Sequence, residues 1–199
     1  MKSMTIKFLL TILIFTSCKS EIKKANKDYS DTHIQALKFC EKNSFNLDYY
    51  ILIDMNIHSG NNRFFVYNFE TKSYEYEKLV THGSCDIFEV NDTKWEKAKF
   101  SNQVDSHCSA VGKYKIGVRE YSSWGIHIKY WLHGLEPSNS NSVSRVTVLH
   151  SWGKVANEEV FPNYAPLSWG CQAISDAFMT VLDRKLQVSE KPVLLWIIE

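Results

Sequence analysis

The chain lacks the features that most quickly assign a protein to a class. Across 199 residues, 23 Lys and Arg nearly balance 22 Asp and Glu, for a formal net charge of +1. That leaves no one-sided field to hold a nucleic acid, and no nucleic-acid partner is expected. The one concentration of positive charge, at Lys19, Lys23, Lys24 and Lys27, reads as a solvated tether. Close cysteine pairs are missing too. No two of the five cysteines stand in C-x-x-C spacing, which argues against a zinc knuckle or a thioredoxin-like motif. No apolar run approaches the roughly 20 residues of a spanning helix, and no segment repeats. What is present, 44% hydrophobic and 14% aromatic residues, is the composition of an ordinary globular protein. The length suits one domain with a real core.

The N-terminus stands apart from that domain. Met1 to Lys7 is cationic, Phe8 to Phe15 is a short apolar stretch, and Thr16-Ser17-Cys18 follows. This is the layout of an export signal rather than of fold material. Small residues before a cysteine resemble the lipobox of bacterial lipoproteins. The implication is a diacylated Cys18 and a membrane-anchored, periplasm-facing lipoprotein of the cell envelope; a plain secretory signal cleaved elsewhere is the alternative. Residues 1–17 are then the signal peptide, 18–30 a linker from the membrane, and 31–199 the folded domain. In an oxidising compartment, Cys40, Cys85, Cys108 and Cys171 remain to be assigned.

Beyond the linker the texture is mostly that of strands. Asp31 to Asn43 carries Ile34, Leu37 and Phe39 at helical spacing, with Asp31 or Thr32 as the expected cap. From Tyr49 onward, "YYILIDMNI", "RFFVYNFE" and "SYEYEKLVTH" are rich in aromatic and β-branched residues and read as strands. The "SGNNR" between the first two is hairpin chemistry. "GKYKIGVREY", "GIHIKYWLHGL" and "SRVTVLH" are further strands, the last ending on His150. Polar loops are expected at Glu136 to Ser142 and from Gly153 to Leu167. After Cys171, the residues Ile174, Phe178, Val181, Leu182 and Leu186 recur at helical spacing. "PVLLWIIE" closes the chain as a buried strand. The expected fold is mainly β (α+β), one domain with an N-terminal helix and a helix after Cys171.

Chemistry concentrates in "SWGC", Ser168 to Cys171. Placed just before a helix start, Cys171 would feel the positive end of the backbone dipole, which favours thiolate. Gly170 would let a substrate backbone approach, and the surrounding amide N–H groups would meet a developing oxyanion. His150 is the natural base. On these residues alone, a buried thiol and an unrelated imidazole explain the pattern as well.

A family resemblance separates the two. "SWGC" followed by "QAIS", with "RVTVLHSWGKV" upstream, resembles the catalytic segment of murein L,D-transpeptidases of the YkuD type. "HGS" at His82 to Ser84, "KFSNQVDSHCSAVGKY" at Lys99 to Tyr114 and "YWLHGLE" at Tyr130 to Glu136 match further family pieces in the same order. The resemblance runs from about Tyr49 to the C-terminus. It implies a β-rich fold in which Cys171 is the nucleophile and His150 the base. Ser168, Trp169 and Gly170 would frame the substrate and oxyanion region, and His82 would orient substrate or the pair. It implies acyl transfer on peptidoglycan stem peptides: loss of the terminal D-alanine of a tetrapeptide, then a 3→3 cross-link through a Cys171 thioester. Water as acceptor would give an L,D-carboxypeptidase, and loss of chemistry a wall-binding lipoprotein. No metal and no organic cofactor is implied. Four positions depart from the commoner family pattern: Trp169 for His, Gln172 for Pro, Ala173 for Arg or Asn, and Ser151 for Gly. The family also places Cys85 and Cys108 near the cleft, either joined in a disulfide or as two free thiols.

His127 and His133, six residues apart on one expected strand, would share a face with Lys129 and Trp131. Trp124, Trp131, Trp152 and Trp169 suit a core or the wall of a groove. Ser106 and Ser109 read as turn and hydrogen-bonding residues near the site.

Overall fold

The computed structural model describes residues 27–88 and 90–199; the signal sequence, Cys18 and most of the linker lie outside the described residues. One mixed sheet of eight strands organises them. The strands are β1 (Tyr49–Asp54), β2 (Phe64–Asn68), β3 (Ser73–Lys78), β4 (Gly112–Tyr121), β5 (Ile128–Gly134), β6 (Val148–Ser151), β7 (Gln172–Ile174) and β8 (Leu194–Ile198). Their order is β3-β2-β1-β8-β4-β5-β6-β7, parallel at β1–β8 and β6–β7 and antiparallel elsewhere. Two helices, α1 (Ser30–Asn43) and α2 (Asp176–Gln187), cover opposite faces.

The central strands read as continuous apolar runs because both of their faces are covered. In β1, Tyr49, Ile51 and Ile53 pack with Phe178, Met179 and Leu182 of α2. The alternate residues Tyr50 and Leu52 pack with Ala36 and Cys40 of α1. β8 divides its side chains in the same way, with Leu195 and Ile197 toward α2 and Leu194 toward α1. This is period-two alternation with apolar residues in both phases.

Four expectations about elements need correction. The folded part begins before residue 31: Tyr29 is 6% exposed and its hydroxyl donates to Asp54, as does Lys27. Neither Asp31 nor Thr32 caps α1. Its N-cap is Tyr29, and Asp28 instead accepts from the Ser30 N–H and hydroxyl. Residues 172–174 form β7, so α2 starts only at Asp176, with the Ser175 hydroxyl accepting from Phe178 N–H. Ile174 is therefore a strand residue rather than a helical one. Finally, His127 has φ +63° and precedes β5, with its Nδ1–H donating to Ser122 O. It does not share a strand face with His133, which lies opposite Lys115.

Candidate active site

β6 and β7 place Cys171 and His150 by register. In this parallel pair Leu149 lies opposite Gln172, His150 opposite Ala173 and Ser151 opposite Ile174. Cys171 is two residues before Ala173, so its side chain projects from the same face as Ala173 and hence as His150. The two are diagonal neighbours across adjoining strands. Both line a cleft of about 300 Å³, walled by Trp124, Trp152, Leu167, Ser168 and Trp169. Three of the four tryptophans expected as core or groove wall thus form this wall, and the fourth, Trp131, sits on β5 under the Lys129 ammonium at 5.0 Å.

The imidazole is set for one role. His150 Nδ1–H donates to the Ser151 carbonyl at 2.9 Å, so in the neutral ring Nε2 is the acceptor. His150 is 8% exposed, and burial lowers its pKa below the ordinary histidine value against the pull of that carbonyl. Ser151, where the family commonly has glycine, uses its hydroxyl to accept from Ile126 N–H at 3.0 Å.

The thiol sits in a different setting from the one the sequence suggests. Because β7 intervenes, no helix N-terminus abuts Cys171, and burial raises its pKa. A hydrogen bond with the backbone at Val148 and the charges of Arg145 and Lys129 pull the other way. Sγ–H faces the Val146 carbonyl at 3.5 Å.

Ser168 closes the turn before Cys171: its hydroxyl donates to Cys171 O at 2.7 Å and accepts from Gly170 N–H at 3.2 Å. Gly170 is required, but for a reason other than substrate approach. Its φ is +99°, and a Cβ there would stand 2.6 Å from Cys108 O, so the open side of the residue is filled by the protein itself. Trp169 is 77% exposed and stacks on His107, ring centroids 5.1 Å apart. Gln172 and Ala173 are fully buried.

His82 lies behind the cleft rather than in it. It is 1% exposed; Nδ1 accepts from Arg63 Nη2 at 2.7 Å, so Nε2–H donates to Lys94 O at 2.6 Å. Burial and the Arg63 charge push its pKa down to about 3. Its backbone touches the nucleophile loop, His82 O accepting from Ser168 N–H, and the Ser84 N–H donates to Ser168 O beside it. The neighbouring wall is tied by a Cys85–Cys108 disulfide. Ser109 accepts from Gly83 N–H, and Ser106 from Cys108 N–H.

Two residues at the site carry no signal in the sequence. Thr81 Oγ1 donates to Cys171 O at 3.1 Å and accepts from Ala173 N–H at 3.0 Å, clamping the start of β7. Arg145 Nη2 donates to Cys108 O beside Gly170. Thr81 stands just before "HGS" and Arg145 opens "RVTVLHSWGKV", but nothing in either segment marks these side chains as site residues, and each arrives through a fold contact more than twenty residues distant in sequence.

Solved structures that align with the chain include an L,D-transpeptidase from Xylanimonas cellulosilytica, at 10% identity and TM-score 0.41 over 75% of this chain and 60% of that one. Bd1075 from Bdellovibrio bacteriovorus aligns at 14% and 0.46, over 77% and 49%. The helical cell shape determining protein Pgp2 from Campylobacter jejuni aligns at 14% and 0.44, over 84% and 56%. The chain thus spans about half to three-fifths of the length of these structures. No curated protein matches. The family model of the L,D-transpeptidase catalytic domain, YkuD_2, matches residues 21–195, a span that takes in the whole cleft, and the chain belongs to that family.

Proposed function

We propose that this protein is a peptidoglycan-modifying cysteine L,D-transpeptidase with Cys171 as nucleophile and His150 as general base. One observation carries the reading: across β6 and β7, Cys171 and His150 project from one face into an open cleft, with His150 Nδ1–H held by Ser151 O. That leaves Nε2 as the base. As Sγ attacks the carbonyl carbon of the third stem residue, Nε2 takes the thiol proton. Collapse of the tetrahedral adduct breaks the C–N bond, and His150 returns the proton to the departing D-alanine amine. An amine from a neighbouring stem then attacks the thioester, yields its proton through His150, and releases Cys171 as thiol. The product is a 3→3 cross-link. With Gly170 N–H engaged by Ser168, the amide of Cys171 is the donor assigned to the oxyanion.

Full-length protein and Cys171→Ala, incubated with purified tetrapeptide muropeptides and read by mass spectrometry, test this. Cross-linked dimers and free D-alanine are expected, and the variant is expected to make neither. D-alanine release without dimers would replace the transferase by an L,D-carboxypeptidase. No reaction in either sample would overturn the enzymatic reading in favour of wall binding. The same reading puts the protein in the cell envelope, tethered through a lipid on Cys18. Cys18→Ser is then expected to leave the membrane fraction, and its retention there would defeat the anchor.

A further inference from the structure

Arg145 stands in the turn that enters β6, where its N–H donates to Asn141 O and Val146 N–H donates to Val143 O, both at 2.9 Å. Val146 has φ +52°, a left-handed conformation that a β-branched residue holds only where its surroundings enforce it. The residues on either side of that kink bear on Cys171. The Val146 carbonyl faces the Cys171 Sγ–H at 3.5 Å. Arg145 Nη2 donates to Cys108 O, reaches Ser106 Oγ at 3.5 Å, and would lie 3.3 Å from a Cβ on Gly170. The guanidinium is therefore wedged against the residue preceding the thiol.

Its partners are neutral. The half-buried guanidinium bonds a carbonyl and a hydroxyl, and among the described residues no carboxylate lies within ion-pair distance of it. A cation partly withdrawn from water with only neutral partners is available to stabilise a negative charge that forms beside it. The ionisable groups whose charge acts on Arg145 are Tyr114 and Cys171. Tyr114 is committed elsewhere: buried, its hydroxyl donates to Ala110 O at 2.8 Å. That leaves Cys171, which faces Arg145 from the turn into β6, Lys129 on β5 and His150 on β6.

We propose that Arg145 is a positioning residue for the nucleophile, the counter-charge that the Cys171 sulfur meets as its proton passes to His150. The inference rests on the reading of Cys171 as nucleophile. Alkylation of the full chain by iodoacetamide, followed at Cys171 by peptide mass spectrometry across pH, tests the charge without requiring turnover. Arg145→Gln is expected to react roughly tenfold more slowly at neutral pH, with its profile displaced to higher pH. Arg145→Lys, which keeps the charge but not the fork, is expected to stay within about twofold of the natural protein. An undisplaced profile in Arg145→Gln, or equal displacement in both variants, would overturn the proposal and leave Arg145 a structural tie to Cys108. Should Arg145→Gln not fold, Ser106→Asp sets a carboxylate against the guanidinium, and the same displacement is expected; its absence is the same refutation. Tetrapeptide turnover is measured alongside. A displaced profile in a chain that turns over no muropeptide would sustain the counter-charge and defeat the transpeptidase reading.

Discussion

Gly170 shows how a single residue decides whether the site exists. Its φ of +99° and the 2.6 Å approach to Cys108 O leave no room for a side chain. A Gly170→Ala substitution has to move backbone, because the obstructing atom is a carbonyl and not the end of a flexible chain. We expect a loss of about 2 kcal/mol in denaturant unfolding and a larger proportional loss of turnover, since the displaced atoms adjoin Cys171. Unchanged stability would mean that the turn relaxes freely. At this scale the glycine was legible in "SWGC" but its purpose was not. Sequence suggests room for a substrate, whereas the contact is internal and comes from a loop about sixty residues earlier. His82 repeats the lesson. An imidazole beside a glycine and a serine reads as a site residue, yet Arg63 and Lys94 O occupy both of its nitrogens.

At the scale of elements, a three-residue strand carries the geometry. β7 is too short to show alternation, and "QAIS" before a periodic apolar stretch reads naturally as the beginning of the helix. What makes 172–174 a strand is the neighbour it finds in β6, together with Thr81, whose hydroxyl satisfies Cys171 O and Ala173 N–H at once. Thr81→Val keeps the shape and removes both bonds, leaving a buried N–H without its partner. A cost of about 2 kcal/mol is expected, with turnover reduced and Thr81→Ser restoring most of each. If Val and Ser variants behave alike in unfolding and in muropeptide assays, the hydroxyl does not hold the strand. Strands β1 and β8 were readable because aromatic and aliphatic residues fill them almost from end to end, and β4 because Tyr114, Ile116 and Val118 alternate with polar or small residues.

Across the whole molecule, buried and half-buried histidines tie stability to pH. His82 has its pKa pushed down to about 3 by burial and Arg63, and His33 to about 4 by burial. Above the unfolded value near 6.5 each is neutral in both states and exerts no pull. As pH falls below that, the unfolded chain binds protons that the folded chain refuses, so stability declines with acidification. From His82 alone the expected slope approaches about 1.4 kcal/mol per pH unit between pH 6 and pH 4. Urea midpoints measured over that range check it; a flat profile would mean that His82 protonates without disturbing Arg63. The sequence by itself determined the β-rich class, the two helices and the family, and it singled out Cys171 and His150 as candidates, because apolar runs and short motifs are local and survive reading in one dimension. Only the tertiary structure decided the partner of each polar atom: Arg63 with His82, Thr81 with β7, Cys85 with Cys108, and Arg145 beside the thiol. Those pairings join residues far apart along the chain, and burial and proximity, which set them, exist only once the sheet has closed around them.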